Sequence, residues 1–132
     1  MISPALHFPG TCEEAINLYE RVFAATDKQI QYYRDAPPNP GFEVTEGMAN
    51  QVMHASLTIC GTPVNFSDST EPTFAGNMIC LNVFFDSADG VRRAWEGLKD
   101  GGTVVVELGP QFFSPLYAAV VDRFGIKWQL IS

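Results

Sequence analysis

Tyr117 to Ser132 reads YAAVVDRFGIKWQLIS, and its pattern decides the fold. Ala118 to Val121 is an apolar run of strand length. Asp122-Arg123-Phe124-Gly125 is turn chemistry. Ile126, Trp128 and Leu130 then alternate with Lys127 and Gln129. Side chains along a strand point to opposite faces in turn, so the first three share one face and the last two share the other. The stretch is a hairpin with one face on a core and one on a wetter surface.

The same order of elements is found by working back from this hairpin. Thr103 to Leu108 is a β-branched strand and Gly109 to Pro115 a loop. Val91, Ala94, Trp95 and Leu98 form an apolar stripe at helical spacing, predicting a helix over 89–99 that Gly101-Gly102 stops. Met78 to Phe85, MICLNVFF, is apolar at nearly every position and reads as a strand covered on both faces. In the first half, Ile2 to Phe8 is a short strand ended by Pro9-Gly10. Ala15, Ile16, Tyr19, Val22 and Phe23 predict a helix over 12–23, with Thr11 and Glu14 placed as a capping box. Gln29 to Arg34 is a strand, Ala36 to Gly41 a loop with three prolines, Val52 to Cys60 an alternating strand, and Val64 to Ser67 its hairpin partner. Aligning Gly61 with Gly125 sets Val64 on Trp128, Asn65 on Gln129 and Phe66 on Leu130. The chain is therefore an internal repeat of βαβββ modules, at about 1–68 and 77–132. Each holds too little core to stand alone, so the 132 residues make one domain.

Composition narrows the function classes. The net charge is −7 with no run of Lys or Arg, which argues against nucleic acid. No segment approaches the roughly 20 apolar residues of a membrane span, and no basic region followed by an apolar run opens the chain. Cys12, Cys60 and Cys80 form no CxxC, and free thiols fit a reducing compartment, so a cytoplasmic location is expected.

Four segments carry a family resemblance: Glu14 to Phe23 (EAINLYERVF), Met53 to Gly61 (MHASLTICG), the strand that follows Gly101-Gly102, and Val121 to Leu130 (VDRFGIKWQL). In their order and spacing the chain resembles the glyoxalase/bleomycin-resistance, or vicinal-oxygen-chelate, superfamily. Within it the chain is most similar to the PhnB-like branch, which often carries a demethylubiquinone methyltransferase label. The resemblance implies an α+β fold of two βαβββ modules forming a cup-shaped curved sheet. It also implies homodimers, some exchanging modules, for which Asp68 to Gly76 is the hinge segment.

Enzymes of the superfamily hold a divalent metal with His, Glu or Gln from strands one, four, five and eight, where the metal polarises substrate oxygens. By the resemblance those positions fall near Pro4, near Asn65, near Asn77 and on Gln129. Proline has no ligating side chain, and amides are weak neutral ligands beside imidazole and carboxylate. No metal or other cofactor is therefore expected. The weak candidates for a divalent metal are His54, Glu107 and Gln129. The methyltransferase label finds no strand, Gly-x-Gly loop and helix of the sort a nucleotide-like methyl donor uses.

The candidate ligand-binding residues are thus His54, Asn65, Asn77, Glu107 and Gln129. His54 shares its parity with Ser56 and Thr58, on the polar side of its strand. It either lines a ligand cavity or serves a structural or dimer-interface role. His7 reads as a hydrogen-bonded structural residue at the sheet–helix interface. Glu107 reads first as a solvated strand end, and Asp122 as the acceptor for backbone N–H groups of its own turn. Three functions stay open: a protein that binds a small organic molecule, with Tyr32, Tyr33, Phe112 and Phe113 as apolar contacts; a metal-dependent lyase, isomerase or dioxygenase with unusual ligands; and a structural or interaction protein on an inherited enzyme fold.

Overall fold

The structure is a computed structural model that describes residues 1–132. Its elements run β1 (Ala5–Phe8), α1 (Cys12–Val22), β2 (Thr26–Tyr32), β3 (Val52–Ile59), β4 (Thr62–Asp68), β5 (Leu81–Phe84), α2 (Ala88–Lys99), β6 (Thr103–Gln111), β7 (Ser114–Val121) and β8 (Lys127–Ile131). The order is βαβββ twice. The chain divides into two compact units, one of residues 1–20 and 25–73, the other of 21–24 and 74–132.

Each unit has one four-stranded sheet. The first has the order β1-β4-β3-β2 and the second β5-β8-β7-β6. In each, the first strand lies parallel to the fourth and the remaining neighbours are antiparallel. This corrects the expected cup-shaped curved sheet. Both sheets are open, and β1, β2, β5 and β6 are edge strands, each hydrogen-bonded on one side only. Alternation requires one dry and one wetter face per strand. An open sheet backed by a helix meets that requirement without curling.

In the first unit the dry face is held by aromatic packing. Phe66 of β4 stacks between Phe8 of β1 and Tyr19 of α1, at centroid distances of 6.5 and 6.0 Å. Ala55, Leu57 and Val64 complete this layer beneath the buried Ala15 and Ile16 of α1. Asp68, fully buried at the end of β4, ties three segments together. Its Oδ1 accepts from Cys12 N–H at 2.9 Å, its Oδ2 from Val52 N–H at 2.9 Å, and its carbonyl from the Tyr33 hydroxyl at 3.2 Å. The first of these satisfies an N–H that the start of α1 would otherwise leave unpaired. The buried Cys12 thiol is pushed well up, first by burial and then by the carboxylates of Asp68 and Glu13.

In the second unit Trp128, 1% exposed, is the centre of the core. Phe23, from the short segment 21–24, lies 4.8 Å from its ring and 6.3 Å from that of Phe85. Val91, Ala94, Trp95 and Leu98 of α2 are buried, as their spacing predicts. Gly97 lets Val22 approach so closely that a Cβ there would lie 2.1 Å from Val22 Cγ1. Asp122 accepts from Phe124 N–H (2.9 Å), Ile126 N–H (3.0 Å) and Trp128 Nε1 (2.9 Å). It therefore fixes both the turn and the tryptophan, one bond more than the sequence implied.

Some boundaries moved. β1 starts at Ala5, because Pro4 supplies only its carbonyl, to Asn65 N–H at 2.9 Å. β5 is four residues long. Met78 and Ile79 of the expected strand lie ahead of it and are exposed. β6 and β7 extend to a tight tip at Phe112-Phe113, where a long loop was expected.

Candidate functional site

Residues paired across a ladder show their side chains on the same face. In the first sheet Ala5 pairs with Asn65 and His7 with Ser67, Ser56 pairs with Asn65, Gln31 with His54 and Gln29 with Ser56. Phe8, Ala55, Leu57, Val64 and Phe66 take the dry face. The opposite face therefore gathers His7, Ser67, Asn65, His54, Ser56, Gln29 and Gln31. His7 Nδ1 lies 2.7 Å from Ser67 Oγ, and His54 Nε2 lies 3.3 Å from Asn65 Oδ1. Both imidazoles are exposed. Asn65 is also held from behind by its backbone bond to Pro4, so its side chain is presented from a fixed strand.

His7 departs from its expected place at the sheet–helix interface. The signal was available: Phe8 ends β1 with its ring in the core, and adjacent residues of a strand cannot share a face. Ser67, Gln29 and Gln31 were also missed, because their membership of the face depends on register, which one strand's pattern does not give.

In the second sheet Gln129 pairs with Asn82 on one side and with Ala119 on the other, while Ile131 pairs with Tyr117 and Phe84. This face is more apolar than its counterpart, with Phe84, Tyr117, Ala119 and Ile131 around the two amides. Tyr117 and Ala119 are buried, and Phe113 packs edge-on against Tyr117 at 5.0 Å. Burial raises the Cys80 thiol while nearby Lys127 pulls it back down. Burial, then Cys80, raises the Tyr117 phenol.

Of the candidates from sequence, His54 and Asn65 come together. Gln129 lies at the centre of the second sheet and half-buried. Glu107 is exposed on β6, with β7 lying between its strand and that of Gln129. Asn77 is exposed in a bend ahead of β5, and the residue that the register sets beside Gln129 is Asn82. Tyr32 donates a short hydrogen bond to a Glu13 carboxylate oxygen, which is the main cause of its raised phenol pKa. Tyr33 is buried, and Phe112 is fully exposed at the β6–β7 tip. A shallow surface cavity of about 630 Å³ opens elsewhere, on the loop after β2, lined by Tyr33, Arg34, Pro37, Phe42 and Glu43 among others.

The donors do not fit a divalent metal. The ladder pairs that contain Asn65 and Gln129 are Ala5 with Asn65 and Asn82 with Gln129, with neither imidazole nor carboxylate among them, and the imidazole of β1, His7, lies against the Ser67 hydroxyl. No group of three or more His, Cys, Asp or Glu side chains is placed to hold one. A nucleotide-like methyl donor is no better served. The turn between β1 and α1 is Pro9-Gly10-Thr11, and the space a Cβ would take at Gly10 is closed by Gln51 Nε2 at 3.2 Å. No glycine-rich phosphate cradle follows the first strand.

Comparison with known proteins agrees with this architecture. A family model described as 3-demethylubiquinone-9 3-methyltransferase matches residues 1–131. Protein YjdN of Escherichia coli (strain K12) is 23% identical over 138 residues, covering 98% of this chain and 92% of its own. The crystal structure of protein PA1353 from Pseudomonas aeruginosa superposes with a TM-score of 0.85 at 27% identity, covering 99% of this chain and 96% of that one. A PhnB protein from Bacillus cereus, titled a putative 3-demethylubiquinone-9 3-methyltransferase, superposes at 0.75 with 24% identity, covering 98% and 97%. Two βαβββ units of this order, matched over nearly their whole length, place the chain in the 3-demethylubiquinone-9 3-methyltransferase family, within the PhnB-like branch of the glyoxalase superfamily.

Proposed function

We propose that the protein binds a small organic molecule against the polar sheet faces, with neutral hydrogen-bonding side chains in place of a conventional metal centre. The observation that carries this reading is the His54–Asn65 pair. It is an oriented imidazole and amide, exposed on the one face of the first sheet that no helix covers. Asn65 and Gln129 occupy equivalent places in the repeat and are both half-buried, so each orients a carbonyl or hydroxyl while keeping contact with water. In this reading His54 and Asn65 form the core of the site on the first sheet, and Gln129 holds the equivalent place on the second. Glu107 and Asn77 lie away from Gln129 within the second unit.

The proposal includes one domain over 1–132, a homodimer and a cytoplasmic location. Support for the dimer comes from the exposed Phe74, Met78, Ile79, Phe84 and Phe112, a large apolar area for one small chain. Three cysteines without a disulfide support the location. No helix is long and apolar enough to cross a membrane.

The test is to purify the protein without chelator, measure bound metals by plasma mass spectrometry, and examine the intact protein by native mass spectrometry. The expected result is an organic adduct, or an empty protein that accepts one, at less than stoichiometric metal. Stoichiometric zinc, nickel, manganese or iron would overturn the reading in favour of a metal enzyme with His54, Glu107 or Gln129 among its ligands.

A further inference from the structure

The charge on the first sheet's polar face departs from that of the chain. The sequence has 15 acidic residues, 8 basic ones and two histidines. Both histidines are on this one face, on β1 and β3, with β4 between them. The other side chains of the face are Ser67, Asn65, Ser56, Gln29 and Gln31, and toward its far end Thr58 and Pro63. No carboxylate is among them. The acidic side chain of β2 is Asp27, engaged by the Thr26 hydroxyl at 3.3 Å. Thr26 pairs with Thr58, four residues along β3 from His54, or about 13 Å at strand rise. Lys28, the only cationic residue of β2, is bound to Asn17 and Glu20 of α1. Asp68, the nearest carboxylate on β4, is buried and engaged by Cys12 and Val52.

The hydrogen bond at the centre of the face biases Asn65 toward donation. Asn65 Oδ1 is the acceptor of the His54 pair, so His54 donates from Nε2 and the Asn65 amide N–H groups remain directed elsewhere. The Gln29 and Gln31 amides and the Ser56 and Thr58 hydroxyls add donors and neutral acceptors at neighbouring register positions. An ammonium group placed here loses hydration and meets neutral acceptors with no carboxylate to pair it. A carboxylate meets N–H and O–H donors, and hydrogen bonds to an ionised acceptor are about twice as strong as neutral ones. An overall charge of −7 works against anions at long range, so a face clear of carboxylates is what a site for one requires.

We infer that the polar face of the first sheet, from His7 across Asn65 to His54 and Gln31, selects organic acids over amines and neutral analogues of the same shape. This rests on the small-molecule reading above and adds the ligand's charge class to it.

The two imidazole rings report on the face directly. Benzoate, benzamide and benzylamine are titrated separately at pH 7.5 and constant ionic strength, following the ring resonances of His7 and His54 by NMR. His7→Gln and His54→Gln assign the signals. Benzoate is expected to shift both rings and to bind about tenfold more tightly than benzamide, with benzylamine shifting neither. Ser56→Asp, which puts a carboxylate in register with Asn65 and Gln29, is expected to weaken benzoate about tenfold and benzamide by much less. If benzamide and benzylamine shift the rings as strongly as benzoate, the face binds small molecules without regard to charge, and only the acid selectivity is overturned. If no probe moves either ring near saturation, both the selectivity and the site fall.

Discussion

The two units share one topology and spend it differently. Each has a four-stranded sheet with its first strand parallel to its fourth, a helix on one face, and a buried aspartate. In the first unit Asp68 joins β4 to the starts of α1 and β3, and the face away from the helix is polar and open. In the second Asp122 holds the β7–β8 turn and Trp128, and the corresponding face carries Phe84, Tyr117 and Ile131 around its amides. Repetition has kept the architecture and the apolar character of the dry layer, while the other face is polar in the first unit and more apolar in the second.

The equivalence of Trp128 with Val64 gives the largest test. Both are buried, yet Trp128 fills the space against Phe23 and donates its Nε1–H to Asp122 Oδ2. Trp128→Ala is expected to cost about 3–5 kcal/mol in urea denaturation, against about 2 kcal/mol for Val64→Ala. Equal costs would mean that the second unit does not depend on its tryptophan as described. Next comes Asp68→Ala, which strands the Cys12 and Val52 N–H groups without acceptors. It is expected to cost about 2–4 kcal/mol and to leave near-ultraviolet signals of Trp128 unchanged, since the loss is in the other unit. Gly97→Ala is expected to cost about 1–3 kcal/mol by overpacking against Val22, and adding Val22→Ala should recover much of it.

Much of this contrast was legible in the sequence, for physical reasons that also mark the limits. The stripes of α1 and α2 and the alternation of β3 and β8 encode burial, so they predicted which side chains are dry. The Gly61 and Gly125 turns, both at positive φ, supported the repeat: Asn65 and Gln129 did prove equivalent. MICLNVFF gave no parity, because it is apolar at nearly every position, and Met78 and Ile79, outside β5, are exposed. Sheet curvature has no signature in alternation, and the cup borrowed from the family resemblance was wrong for these open sheets. The candidate site was half legible. His54 came from parity and Asn65 from the repeat and the family resemblance, while Gln29 and Gln31 needed the register between strands, which is set by hydrogen bonds that a sequence does not display.

A pH measurement sharpens the first unit's side of the comparison with a smaller effect. The Cys12 thiol ionises ordinarily at 9.0 and is held neutral in the folded chain by burial and by Asp68. With the folded value raised, its contribution to stability is complete below pH 9.0 and is lost as pH rises above it, because only the unfolded chain then releases the proton. Alkaline denaturation is expected to be shallower in Cys12→Ala than in the wild type. An identical profile would place the sensitivity on other groups.

The most direct measurement of small-molecule recognition is a thermal-shift screen of the wild type beside Asn65→Leu and Gln129→Leu. Both side chains are half-buried on the faces away from the dry layers, so the variants should fold with melting temperatures close to wild type. The account predicts compounds that raise the wild-type Tm and lose that shift in at least one variant. Compounds that stabilise all three proteins equally, or a broad library that stabilises none, would contradict it.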